Sequence, residues 1–459
     1  MIRSLRHRNF RLFFFGQGVS LVGTWMQGLA LPWLVYDLTG SAVLLGVVGF
    51  SGQILTLVLA PVAGVLADRW NRYRIVLAGQ VLATVQAAAL AVLTLTGVIN
   101  TWEIIALALF GGLIRGFEIP TRQAFVVQML EDPKDLPNAI AMNSFLVNGS
   151  RLVGPSLAGI LIVWVGEGMC FLVNAVSFLA VIAALLAMRL PPRRAAVRTS
   201  NVLEEMRDGW LYVTRSVPIR SMLLLLCLVS LMGVPYTVLL PIFAKDILQG
   251  NAYTMGFLMA ATGVGAVLGA LYLAARRSVA GFMRLIAMAS GAFGLGLVAF
   301  SLSPNVWLSM GILVWVGCAM MIQMAGTNTF LQTIVEEDKR GRVMSFYTMA
   351  FMGMAPFGAL LAGSLAGALG APGTVMLGGL AVVTGVLVFA TRLPHLNAAT
   401  HATYVRLGLL PGVAPSAPTP RAPVAGATPG PAETAVCHSE RSEESRRAPA
   451  APPPDPDEP

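Results

Sequence analysis

With 459 residues, 56% of them hydrophobic and 12% charged, the chain lacks the charged surface that a water-soluble protein of this size needs, so lipid must cover most of it. A net charge of +9 does not point to nucleic acid here, because the arginines sit beside the ends of long apolar stretches, where they face anionic headgroups. Cys170, Cys227, Cys318 and Cys437 are scattered singly, which argues against a disulfide framework or a metal site.

Between Phe10 and Arg392 the chain reads as twelve apolar stretches. A span needs ~20 such residues to cross ~30 Å of hydrocarbon, and only a helix satisfies its own backbone there. The predicted helices are 10–36, 42–67, 74–98, 101–124, 138–165, 168–189, 220–246, 253–275, 282–302, 305–330, 342–369 and 372–392. The first follows basic residues as a signal peptide does, but it is too long and lacks a small-residue cleavage site. All but three of the 31 Lys and Arg residues fall before the first span, after the last or at alternate gaps between them, all on one side; Lys245 lies on the other side, and Arg115 and Arg151 lie within spans. The fold class expected is an all-α polytopic membrane protein of 12 transmembrane helices, with both termini cytoplasmic and the plasma membrane as its location.

The gap at 190–219 is the longest. It carries Pro191, Pro192, a run of arginines and an amphipathic stretch at 202–213, and is expected to be a cytoplasmic linker lying partly along the membrane surface. It divides the chain into six-helix bundles at 1–189 and 220–395. The Ala/Pro-rich segment 396–459 cannot bury enough apolar area to offset its chain entropy and is expected to be disordered.

The halves echo each other. Thr121 precedes Glu131 and Asp132 by the same interval that separates Thr327 from Glu337 and Asp338. A helix bearing Gly154, Pro155 and Gly159 follows in the first half, and one bearing Pro356, Gly358 and Gly363 in the second. Two such pseudo-repeats around a central cavity suit transport, because one half can rock against the other about a fixed site.

The loop Gly64-Val-Leu-Ala-Asp68-Arg69-Trp-Asn71-Arg72-Tyr-Arg74 resembles the signature G-x-x-x-D-R-x-G-R-[RK] of the major facilitator superfamily. Asn71 replaces the second glycine; because Asn tolerates left-handed backbone geometry, the turn is expected to survive. The matching loop of the second half keeps Arg276, Arg277 and Arg284 but has no Asp. Arg151-Leu-Val-Gly154-Pro155-Ser-Leu-Ala-Gly159 resembles the G-P-x-x-x-G motif of the antiporter branches. Together with Arg115-Gly-Phe-Glu118-Ile-Pro120-Thr-Arg122 and Asn138-Ala-Ile-Ala, it makes the chain similar to the branch of enterobactin and macrolide exporters. The resemblance covers about residues 1–395 and implies the major facilitator fold. It further implies a secondary active transporter, not an enzyme, that exports a small amphipathic or apolar solute such as a drug or siderophore by proton antiport.

Gly64, Asp68, Arg69, Arg72 and Arg74 are the expected cytoplasmic gating loop, with the Asp68 carboxylate as a latch that takes donors in one state and releases them in the other. Arg115, Glu118 and Arg122 share one helix face and can pair along it, while the resemblance implies a further reach from Glu118 to Arg72. Arg151 falls near mid-bilayer, where a guanidinium is costly unless it meets a cavity, an anionic solute or a polar partner. Gly154, Pro155 and Gly159 allow close helix approach and a kink, as a hinge or leak seal.

Trp25, Gln27, Gln53, Asn143, Asn148, Tyr236, Gln323 and Asn328 are candidate cavity residues because they are polar or adaptable positions deep in spans, and the late methionines Met320, Met321, Met324, Met349, Met352 and Met354 suit an adaptable pocket. No Asp or Glu sits at the centre of a span, so proton coupling rests mainly on the resemblance, with Asp37 and Glu118 as its candidates. Lys134, Lys245 and Lys339 follow Pro, Ala and Asp, so no P-loop Gly-Lys exists and ATP is not expected as a partner. No cofactor is expected. The partners expected are a small-molecule substrate, the lipid bilayer and protons, with the protein acting as a monomer. Nutrient uptake, or a sensor or scaffold that kept the fold, are alternatives; the second loop's missing Asp favours the latter, and the Asp68 and Pro155 motifs oppose it.

Overall fold

The computed structural model describes residues 3–189, 202–276 and 281–406, and the side chains of these except at 60–62, 64–69, 133, 202–206, 338 and 401–406. Among the described residues every regular element is helical. The helices are α1 (Arg8–Thr39), α2 (Ala42–Arg69), α3 (Arg72–Leu95), α4 (Thr101–Val126), α5 (Leu136–Val165), α6 (Glu167–Leu186), α7 (Val202–Arg215) and α8 (Val217–Ile247). They continue as α9 (Ala252–Ala275), α10 (Phe282–Ser301), α11 (Val306–Ile334), α12 (Glu337–Met352) and α13 (Ala355–Arg406).

Among the described residues eleven stretches are long and apolar enough to span a membrane, and the last, Lys339–Thr400, bends back within itself. Gly370 makes the bend at φ 75°, a left-handed conformation open to glycine. Gly358, before it, lies against the Leu231 carbonyl, and Gly378, after it, against that of Met232, so the chain crosses the same level of α8 twice. Twelve crossings result among the described residues. The outward faces carry Trp102, Trp164 and Trp307 at one end of the bundle and Trp70 and Trp210 at the other, the placement of interfacial aromatic belts.

Three turns at the end away from the N-terminus are capped alike. Asn100 accepts from the amides of Trp102 and Glu103, Asn251 from Tyr253, and Asn305 from Trp307 and Leu308, which satisfies the orphan donors that start α4, α9 and α11.

Several details depart from the sequence expectation. Asn71 is extended, at φ −70°, and its side chain accepts from Tyr73 N at 3.0 Å, so it caps α3 rather than taking up left-handed geometry. The seventh span is not a uniform helix: Val229–Gly233 and Phe243–Ile247 widen to π turns and Val234–Leu239 tightens to 3-10, where Pro235 and Pro241 withdraw their amides. α13 runs to Arg406, past both the predicted end of the last span and residue 396, with Leu396 buried and Thr400 donating to its carbonyl at 3.0 Å. The connection before α8 holds the amphipathic helix α7, whose Trp210 ring lies 6.0 Å from that of Phe346 on α12. Residues 407–459 lie outside the described residues.

Within the first half α1 packs on α5 and α6, α2 on α4, and α3 on α4 and α6; in the second half α9 packs on α11, and α10 on α11 and α13. The halves join through α2 with α13 and α5 with α9. The buried apolar residues show where they are joined most firmly. Away from the N-terminus one core mixes both halves, with Leu29 and Tyr36 beside Leu239, Phe243 and Ala252. Near the N-terminus two cores stand apart: Phe10, Phe13 and Phe125 belong to one, and Leu223, Phe282 and Phe330 to the other.

Candidate transport cavity

Where the cores part, a cavity of about 1500 Å³ opens between the halves. Trp25 and Gln27 of α1, Gln53 of α2, Arg151 of α5 and Tyr236 of α8 line it, with Arg115 of α4. Met320, Met324, Met349 and Met352 line it too, so its wall is soft and deformable. Ser345, Thr348 and Met349 of α12 are both lining and exposed, which makes the end near the N-terminus the open one.

The opposite end is shut by two adjacent contacts between α1 and α8. Lys245 Nζ lies 2.6 Å from Asp37 Oδ1, and the Tyr36 hydroxyl donates to Asp246. Beside them the G-P-x-x-x-G surface brings three helices together. A Cβ on Gly159 would sit 2.7 Å from the Ala252 carbonyl oxygen of α9, and one on Gly154 would sit 2.9 Å from the Val22 carbonyl oxygen of α1.

Polar side chains at the cavity wall tie the first half together. Asn174 Nδ2 donates to Gln27 Oε1 at 2.7 Å, Gln27 Nε2 to Gln86 Oε1 at 3.1 Å, and Gln86 Nε2 to the Leu107 carbonyl at 3.1 Å, which joins α6, α1, α3 and α4. Buried polar groups need such partners in lipid. Sequence reasoning found Gln27 but missed Gln86 and Asn174, although each is an amide set in an apolar run.

Glu118 is buried, accepts from Gln80 Nε2 at 3.1 Å and lies 3.4 Å from Arg122 Nε. Its implied contact with Arg72 is not among the described contacts of Glu118, and Arg72 Nη1 donates to the Ala124 carbonyl at 3.2 Å. Arg74 is exposed, and the side chains of Gly64, Asp68 and Arg69 lie outside the described residues. Asn143, Asn148, Gln323 and Asn328 fall outside the described lining. Asn148 donates to the Ser144 carbonyl, Asn328 accepts from Gln332, Asn143 is half-buried and Gln323 is buried between helices. The repeated threonines occupy equivalent places, since Thr121 and Thr327 are both fully buried and each donates at 2.7 Å to the carbonyl four residues before it.

A further polar cluster, outside the spans, fixes the N-terminus. His7 Nδ1 accepts from Glu131 N at 3.3 Å, which leaves Nε2 to donate to Asp135 Oδ2 at 2.8 Å, and Arg6 Nη2 reaches the same oxygen at 2.7 Å. Ser4 donates twice to Asn138 Oδ1, at 2.9 and 2.8 Å. The His7 hydrogen bond, then that of Arg6, holds the Asp135 carboxyl below its ordinary pKa.

Residues 2–411 match the transmembrane secretion effector family, a family of major facilitator transporters, and the chain belongs to it. It is 25% identical to the staphyloferrin A transporter of Staphylococcus aureus, over 83% of this chain and 95% of that one. It is 26% identical to the multidrug efflux pump Tap of Mycolicibacterium fortuitum (84% and 94%) and 23% identical to the macrolide efflux protein A of Streptococcus pyogenes (85% and 98%). Among solved structures, a bacterial homologue of the lysosomal transporter Spinster in an inward-facing conformation aligns with a TM-score of 0.65 at 14% identity, over 88% of this chain and 99% of that one. A bacterial homologue of ferroportin aligns with 0.63 at 17%, over 84% and 98%. The protein is a multi-pass membrane transporter of small molecules and not an enzyme.

Proposed function

We propose that the protein is a secondary active exporter of the plasma membrane, a monomer with both termini cytoplasmic. It moves a bulky amphipathic or apolar solute, such as a drug or siderophore, outward in exchange for protons. The observation that carries this reading is the cavity between the halves, open beside the N-terminus and shut at its far end by the pairs of Asp37 with Lys245 and Tyr36 with Asp246. With the N-terminus in the cytoplasm this is the inward-open state, ready to load from inside. The efflux names of two relatives support the direction.

In this reading residues 1–189 and 220–395 rock as two bodies about the cavity. The surface of Gly154, Pro155 and Gly159 seals the outer end. The loop of Gly64, Asp68, Arg69, Arg72 and Arg74 latches the inner end when it closes, so Asp68→Asn slows transport while membrane insertion stays intact. Arg115, Glu118 and Arg122 carry the strain of rocking as a charge network. Protonation of Asp37 removes the charge that Lys245 grips and so opens the outer gate, with Glu118 as the inner proton site.

Flux tests the proposal. In proteoliposomes of the full chain, solute should move against its gradient when a pH gradient is imposed, and stop when that gradient is collapsed. Flux that ignores the pH gradient rejects proton antiport, and flux in the uptake direction alone rejects export.

A further inference from the structure

The cavity's charge is one-sided. Arg115, Arg151 and Arg342 line it, while no Asp or Glu is among its described lining residues. Arg342, at the mouth, is answered by Asp208 at 3.6 Å. Arg115 spends one N–H on the Gly52 carbonyl at 2.7 Å, and the carboxylate one turn from it, Glu118, is held by Gln80 and Arg122. Arg151, half-way along α5, has its guanidinium carbon 5.7 Å from the centre of the Trp25 ring, and no described carboxylate or carbonyl accepts from it.

A guanidinium among apolar walls concentrates positive potential, and it costs free energy that an anion entering the site recovers. A guanidinium over an indole face that also lines the lumen keeps N–H donors for a ligand, and its planar fork can take a carboxylate through two parallel hydrogen bonds. Leu31, Val48, Met255 and Met259 offer an adaptable wall for an apolar body attached to that carboxylate.

We propose that the cavity selects carboxylate-bearing amphiphiles, with the anionic head on Arg151 beside Trp25 and the apolar body on the Leu and Met wall. Arg115 of α4 adds a second positive charge to the same cavity. This inference rests on the transporter reading of the same cavity and names the class of its solute.

Three dansyl probes of one size test it on the full-length protein in lipid nanodiscs, with fluorescence anisotropy corrected for empty nanodiscs: dansyl-leucine as the carboxylate, dansyl-leucinamide as the neutral form and dansylcadaverine as the cation. The carboxylate should bind at least about tenfold tighter than either, or about 1.4 kcal/mol. Arg151→Gln should bring the ratio to about one, and Arg151→Lys, which keeps the charge but loses the fork, should leave it in between. Weak or undetectable binding of dansyl-leucine, equal or tighter binding of the amide or the cation, or an unchanged ratio in Arg151→Gln would overturn the proposal. The wild-type comparison needs no variant to fold. Flux separates the two readings: a retained carboxylate preference without flux of dansyl-leucine counts against transport alone, whereas flux that favours the cation counts against charge selection alone.

Discussion

Lys245 Nζ stands 2.6 Å from Asp37 Oδ1, and an adjacent residue of each helix repeats the grip, with Tyr36 donating to Asp246. Two neighbouring residues of α1 thus hold two neighbouring residues of α8 at the closed end. The ion pair is about half-exposed on both sides, so its strength should be that of a surface pair, ~0.2–1 kcal/mol.

Lys245→Ala should therefore shift the closed-to-open equilibrium at that end by a factor of about 1.4 to 5, without unfolding the protein. An impermeant maleimide applied from that side to a Leu31→Cys reporter should react faster in the variant. The charge-reversed pair Asp37→Lys with Lys245→Asp should return the rate toward wild type. An unchanged labelling rate in Lys245→Ala would remove the pair from the gate.

Gly159→Ala should jam closure. Its Cβ would meet the Ala252 carbonyl oxygen at 2.7 Å, a backbone atom that cannot rotate away, and overpacking of this kind costs roughly 1–3 kcal/mol. Solute flux should fall several-fold. Gly149→Ala on the same helix meets open space and should leave flux unaltered. Equal flux in the two variants would contradict the close approach of α5 and α9.

Glu118→Gln should destabilise the protein by roughly 1–3 kcal/mol, seen as a lower midpoint of thermal unfolding in detergent, because Arg122 loses its carboxylate in a buried setting. Gln80→Leu, which removes the other partner, should cost less, since the ion pair remains. The reverse order would assign the stability to the amide.

Asp135 gives a pH dependence with a definite sign. Its carboxyl is held below the ordinary value by His7 and Arg6, so the cluster stabilises the folded state at neutral pH and loses that contribution as pH falls through the depressed value, below about 4. The thermal midpoint of Asp135→Asn should lie below wild type at pH 7, and the gap should close on acidification past that range. A gap that widens in acid would reverse the assignment.

The spans were legible because an apolar run long enough to cross lipid has few other uses, and Arg115 and Arg151 stood out because charge within such a run is costly. Depth alone chose Trp25, Gln27, Gln53 and Tyr236, which line the cavity, but it equally chose Asn148 and Gln323, which do not. The difference is rotation about the helix axis, which local composition does not fix when hydrophobic residues surround the helix. The pairing of Asp37 with Lys245 joins positions 208 residues apart, beyond any local pattern, and the irregular turns of α8 follow from prolines whose effect depends on the neighbouring helices.

The central claim is that one cavity is exposed in turn at its two ends. Pulsed dipolar distances between spin labels in proteoliposomes test it, with one pair at Thr39 and Gln249 across the closed end and another at Gln123 and Arg340 across the open end. The first distance should lengthen as the second shortens when solute or a pH gradient is applied; two distances that stay fixed, or that change together, would contradict it.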